Sequence, residues 1–200
     1  MTIKPMIKSI AVMAVGGMMF NASANSVGFD AMNYEAAVGD TVSVDVLYDF
    51  TVDAMFGGAV NVIFDATQIG DVQWVDAELA PDAQAPASPN GVLEDGAVIG
   101  AGVGTFEFFN GMTSAGGIGT LTFTFLGGDG TSATTPCGMT LCLEENGINP
   151  FVSLAGQSVG ADLLAAGNAG ASVAPIPVPA AVWFMLSGLG ALFGFGRKKA

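Results

Sequence analysis

Residues 41–50 read TVSVDVLYDF. Their period is two: Val42, Val44, Val46, Tyr48 and Phe50 fall on one side, Ser43, Asp45 and Asp49 on the other. An extended chain turns successive side chains to opposite faces, so this alternation predicts a strand with one buried face and one wet face. The same pattern recurs in AVNVIFD (Val60, Val62, Phe64), VQWVD (Val72, Trp74), GTFEFFN (Phe106, Phe108), TLTFTF (Leu121, Phe123, Phe125) and MTLCLE (Met139, Leu141, Leu143). Glycine-rich joints and loops such as ELAPDAQAPASPNG separate these runs, and no stretch between them keeps helical spacing for more than a turn or two. Many short strands, frequent turn signals and no helix predict an all-β fold, a single antiparallel β-sandwich.

Charge narrows the functions open to such a body. The chain carries 18 carboxylates and five basic residues, a formal charge of -13. All five cations sit at the ends, as Lys4, Lys8, Arg197, Lys198 and Lys199. A body without Lys, Arg or His cannot neutralise nucleic-acid phosphates, the chief source of affinity for that partner. It also lacks the imidazole that a Ser-His-Asp or Cys-His centre or a His-ligated zinc site needs.

Both ends read as delivery segments. Lys4 and Lys8 precede the apolar run Ile10–Phe20, and small residues follow at Ala22 and Ala24, the form of an export signal cleaved after Ala24. The signal peptide is therefore 1–24, the run itself being much shorter than the roughly 20 apolar residues that cross a bilayer as a helix. At the other end a proline-spaced linker, 174–179, leads into the uncharged run 180–196 and the basic tail 197–200. That run is close to the short limit of roughly 17–25 residues for a spanning helix. Cations stay on the cytoplasmic side, so Arg197, Lys198 and Lys199 predict an exported body with its tail inside.

The tail resembles the PEP-CTERM sorting signal of exported proteins from exopolysaccharide-making Gram-negative bacteria. The resemblance rests on Pro177, Val178, Pro179, Ala180, Ala181, Val182 and Trp183, then Ser187 and Gly188, then Arg197-Lys198-Lys199. The Pro-Glu-Pro that names the family is replaced here by Pro175, Pro177 and Pro179. The resemblance implies an exosortase as partner, a membrane-embedded cysteine transpeptidase-like enzyme that removes the tail near the prolines. The body would then pass to the cell surface or the extracellular matrix, much as a lipid-anchor signal is discarded.

The body, 25–173, resembles a cohesin-like domain, a jelly-roll sandwich close to some carbohydrate-binding modules. AAVGDTVSVDV (36–46), GGAVNVIFDATQIG (57–70) and GIGTLTFTFL (117–126) carry that resemblance. It implies an opening strand after the Val-Gly-Asp turn, a strand closed by Phe64-Asp65, and a long core strand. It also implies binding of a protein or a glycan, exopolysaccharide or another surface protein being the partners in view. The expected role is non-enzymatic, structural or binding. The alternatives are a carbohydrate-binding module and a secreted hydrolase that works with carboxylates alone.

Candidate sites inside the body are few. Calcium takes carboxylate and loop-carbonyl oxygens, which nominates Asp65 with Asp71, or Asp49 with Asp53, against the alternative of a solvated acidic surface. Trp74, with Tyr34, Tyr48 and Phe109, offers rings that could stack on a sugar. Alternation puts Trp74 in phase with the core and leaves Phe109 outside. Cys137 and Cys142 are the only cysteines, and export favours a disulfide. If 137–142 were one extended strand, the two Cα atoms would be about 16 Å apart at roughly 3.3 Å per residue, beyond the ~7 Å reach of a bridge. Pairing therefore needs a fold-back through Gly138, and two free thiols are the alternative. IGAGVGT (99–105) lacks the GxGxxG spacing and the lysine of a phosphate loop, and reads as a closely packed strand.

Overall fold

A computed structural model describes residues 24–85, 90–106 and 109–176. In chain order the elements are β1 (Ser26–Phe29), β2 (Asn33–Ala36), β3 (Thr41–Asp49), β4 (Met55–Phe64), β5 (Ile69–Asp76), β6 (Val92–Glu94), β7 (Ala97–Gly104), β8 (Ala115–Phe125), β9 (Leu141–Glu145), β10 (Val152–Ser153), α1 (Gly160–Ala166) and β11 (Gly170–Pro175). They form two facing sheets, one ordered β1-β3-β8-β5, the other β2-β11-β9-β4-β7-β6 with β10 beside the start of β4.

The alternation in TVSVDVLYDF is realised directly. Val42, Val44, Val46 and Tyr48 are buried while Thr41, Ser43 and Asp45 face solvent. Against them β8 sets Phe123 opposite Val42 and Leu121 opposite Val44. Val60, Val62, Phe64, Val103, Leu141 and Val173 of the second sheet complete one continuous core. Burial of such side chains contributes about 1.5–3 kcal/mol each, which is what makes the register costly to shift.

The structure corrects the sequence reading at several places. The pairings are antiparallel except that β11 runs parallel to β2. β1 and β2 precede the Val-Gly-Asp turn, so β3 is not the opening strand; at four residues each, SVGF and NYEA are too short to display a period. The body also contains the helix α1, whose two turns bury Leu163. GTFEFFN does not open as the expected strand, and its Glu107 and Phe108 lie outside the described residues. The pairing of β7 with β4 ends at Gly104 opposite Gly57, and Phe106 stands 71% exposed. Finally, Ala174 and Pro175 belong to β11 and pair with Glu35 and Ala36, so the sandwich runs two residues past 173. Proline fits there because it closes the strand and leaves only its last ladder position without a donor.

Cys137 and Cys142 are joined in a disulfide with Cα atoms 5.8 Å apart. The fold-back occurs at Gly138, whose φ of +73° lies in the left-handed region, and its carbonyl accepts from Ser132 N–H at 2.9 Å. Closing so short a loop stabilises by about 2 kcal/mol in the chain-entropy account. Reduction should therefore lower the urea midpoint by that equivalent without abolishing the fold, as equilibrium unfolding with and without a thiol reductant would measure.

Candidate functional site

A concavity lies where β4 and β7 part. Gly57 sits there with φ +109°, and a Cβ on it would lie 2.1 Å from the Val103 carbonyl oxygen, so only glycine admits this approach of the two strands. On its other side Gly57 pairs with Val152 of β10. The N–H and C=O of Gln84 bond those of Gly104 at 2.7 and 2.8 Å, which extends one rim. Opposite it, the turn 146–150 is held by the buried Asn146. Its Oδ1 accepts from Ile148 N–H and Asn149 N–H at 3.0 Å, and its Nδ2 donates to Asn61 Oδ1 at 2.8 Å.

The result is a groove of about 380 Å³ with a glycine floor, Gly57 and Gly58, and apolar walls that include Phe106 and Ile148. Phe106 is 71% and Ile148 87% exposed. Gln84, Thr105 and Asn149 supply its polar lining. Among the described residues no carboxylate lines it.

The residues singled out from sequence are distributed differently. Phe109 is 95% exposed, on the turn that follows Phe106. Tyr34 and Tyr48 are buried and cannot offer a stacking face. Trp74 packs against the core, its ring lying where a side chain on Gly119 would be, and its Nε1 donates to the Asn90 carbonyl at 2.7 Å and to Asp76 Oδ1 at 3.0 Å. Trp74 thus seals one edge of the sandwich. Ala24 is exposed; Ala22, Pro177, Val178, Pro179, Ala180, Ala181, Trp183, Arg197, Lys198, Lys199 and the run 180–196 lie outside the described residues.

Three of the four aspartates nominated for calcium accept side-chain or main-chain hydrogen bonds through their carboxylates. Asp65 is buried and accepts from Thr67 N–H and hydroxyl at 2.9 and 2.6 Å, from Ser132 Oγ at 2.7 Å and from Gln68 Nε2 at 3.1 Å. The Thr67 hydroxyl bond is foremost in holding its carboxyl down at about 2, with burial opposing and Ser132 assisting. Gln68 also donates to the Thr131 carbonyl and accepts from Thr140 Oγ1, which ties the β4–β5 and β8–β9 connections together. Asp71 accepts from Thr124 Oγ1 at 3.2 Å, and Asp49 Oδ1 holds Thr51 N–H and hydroxyl. Asp53 lines a shallower depression of about 250 Å³ with Asp162. Among the described residues no three metal-type side chains converge.

No protein-family model matches the chain, and no curated protein does. Among solved structures it is similar to CaCohA2 from Clostridium acetobutylicum, with 10% identity and a TM-score of 0.48 over 76% of this chain and 91% of that one. It is also similar to a non-cellulosomal cohesin from the archaeon Archaeoglobus fulgidus, at 16% identity and a TM-score of 0.43 over 77% and 87%. The sixth cohesin from Acetivibrio cellulolyticus scaffoldin B, solved in complex with a Cel5 dockerin mutant, gives 15% and 0.43 over 76% and 94%. At these values the likeness concerns strand arrangement and carries no ligand or partner to this chain.

Sequence reasoning missed the groove because its walls come from loops. Phe106 was read as inward from the alternation of GTFEFFN, and Ile148 was not singled out. The signal for the second wall is NGINP (146–150), an Asn-Gly turn with an apolar tip closed by proline.

Proposed function

We propose that this chain is an exported, non-enzymatic binding module of the cell surface or extracellular matrix, delivered by an exosortase and binding through the β4–β7 groove. The observation that carries the reading is the groove itself: exposed aromatic and aliphatic walls on an otherwise acidic body. An apolar pocket with a few placed polar groups is the usual form of a ligand site. The delivery reading draws on the two terminal signals. It agrees with Asn25, the first residue after the expected cleavage, whose Oδ1 accepts from Val52 N–H and Asp53 N–H at 3.2 and 3.0 Å.

Fractionation followed by intact mass measurement tests the delivery. The mature chain is expected to start at Asn25 and to end near Pro177–Pro179, in the surface or medium fraction. Recovery of the cytosolic full-length chain overturns it. Intact mass is the right readout because the chain offers trypsin no site between Ser9 and Gly196.

A further inference from the structure

We infer that the ligand of the β4–β7 groove is an uncharged glycan segment, seated on the Phe106 ring; this rests on the binding-module reading above. The groove presents what a neutral sugar requires. A pyranose has a face of C–H bonds and a rim of hydroxyls. Phe106, 71% exposed, offers the face a ring, an amphipathic contact of the kind aromatic side chains serve. For the rim, Gln84 and Asn149 are exposed lining residues whose side-chain amides can both donate and accept.

Charge selects among ligands. The body has no cation to meet a polyanion, and its carboxylates repel one. A basic peptide would be drawn to carboxylates, yet none of the described residues lining the groove is one. An uncharged ligand is the one that loses nothing in either respect. The volume, about 380 Å³, lies at the lower end of the roughly 300–1,000 Å³ of small-molecule sites, the scale of one or two sugar rings.

The test is native affinity electrophoresis of the mature body through gels cast with dextran, xylan, glucomannan or mixed-linkage β-glucan, and with alginate as the polyanion. Retardation is expected on at least one neutral gel, unchanged by salt, and absent on alginate. Phe106→Ala should weaken that binding at least tenfold and Gln84→Ala measurably, while Val38→Ala, at an exposed position outside the groove, leaves it unchanged. Phe106 is exposed, so circular dichroism should report an intact sandwich. Mobility unchanged on every neutral gel, or retardation indifferent to Phe106→Ala, overturns the assignment. A displayed-peptide selection run in parallel separates the two readings. Phe106-dependent peptide capture without glycan retardation keeps the binding module and removes the glycan; neither kind of binding removes both.

Discussion

Asp65→Ala is expected to cost the sandwich about 3–4 kcal/mol, because the substitution removes the shared acceptor of a buried network. Thr67 N–H, Thr67 hydroxyl, Gln68 Nε2 and Ser132 Oγ all point at it from within 3.1 Å. Gln68 is itself buried, so its amide has no ready access to water once Asp65 is gone. For a domain of this size such a loss lowers Tm by about 10 °C, at roughly 2–4 °C per kcal/mol. The comparison is Asp49→Ala. Asp49 makes the same two bonds to Thr51 at an exposed position, and its loss should be about 1 kcal/mol or less. Equal losses at the two sites would show that the buried network adds nothing to a local turn.

The same carboxyl sets an acid limit. Its pKa is depressed in the fold to about 2 from an ordinary 3.8, so its stabilisation is fully present above the unfolded value and is lost as pH falls from about 4 towards 2. Urea midpoints recorded across that range should fall more steeply for the native chain than for Asp65→Asn, which has no charge there to lose.

Gly57→Ala should be the most damaging single methyl in the body. The residue has φ +109°, and the added carbon would lie 2.1 Å from the Val103 oxygen and 2.4 Å from the Gly104 Cα, both main-chain atoms that cannot swing aside. Strain of the backbone and forced separation of β4 from β7 add to an expected loss of more than about 3 kcal/mol. Gly39→Ala divides the two causes. Its φ is +93° with nothing within 4 Å of the added carbon, so it reports strain alone, about 1–2 kcal/mol. Urea denaturation of both variants measures the difference, and comparable losses would refute a steric role for Gly57. Because Gly57 forms the groove floor, its variant should also bind whatever the groove holds less well, even where it remains folded.

Strand interiors were legible from the sequence wherever one face meets the core and the other water. Val42 to Tyr48 and Leu121 to Phe125 follow period two because the pleat imposes it. The alternation failed at Phe106, since a hydrophobic residue beyond the last ladder bond obeys no pleat. It was silent on β1, which is buried along its whole length, with Gly28 pressed against the backbone of Asn168. The network around Asp65 had a local trace. Asp49-Phe50-Thr51, Asp65-Ala66-Thr67 and Asp129-Gly130-Thr131 form the same turn, the aspartate Oδ1 accepting from threonine N–H and hydroxyl each time. What distinguishes the second of the three is burial by a loop more than sixty residues away, which no local spacing encodes. The groove needed four separated segments, 56–58, 84–85, 103–106 and 148–152, so its composition could be read only after folding.

The position of β11 bears on mechanics. The strand lies between β2 and β9 and continues at Ile176, whose N–H bonds the Ala36 carbonyl. If the proposed delivery signal held the body while its groove gripped something outside, tension would enter along the strand axis. Hydrogen bonds on both flanks would then be sheared together instead of being unzipped one at a time, an attachment suited to resist pulling.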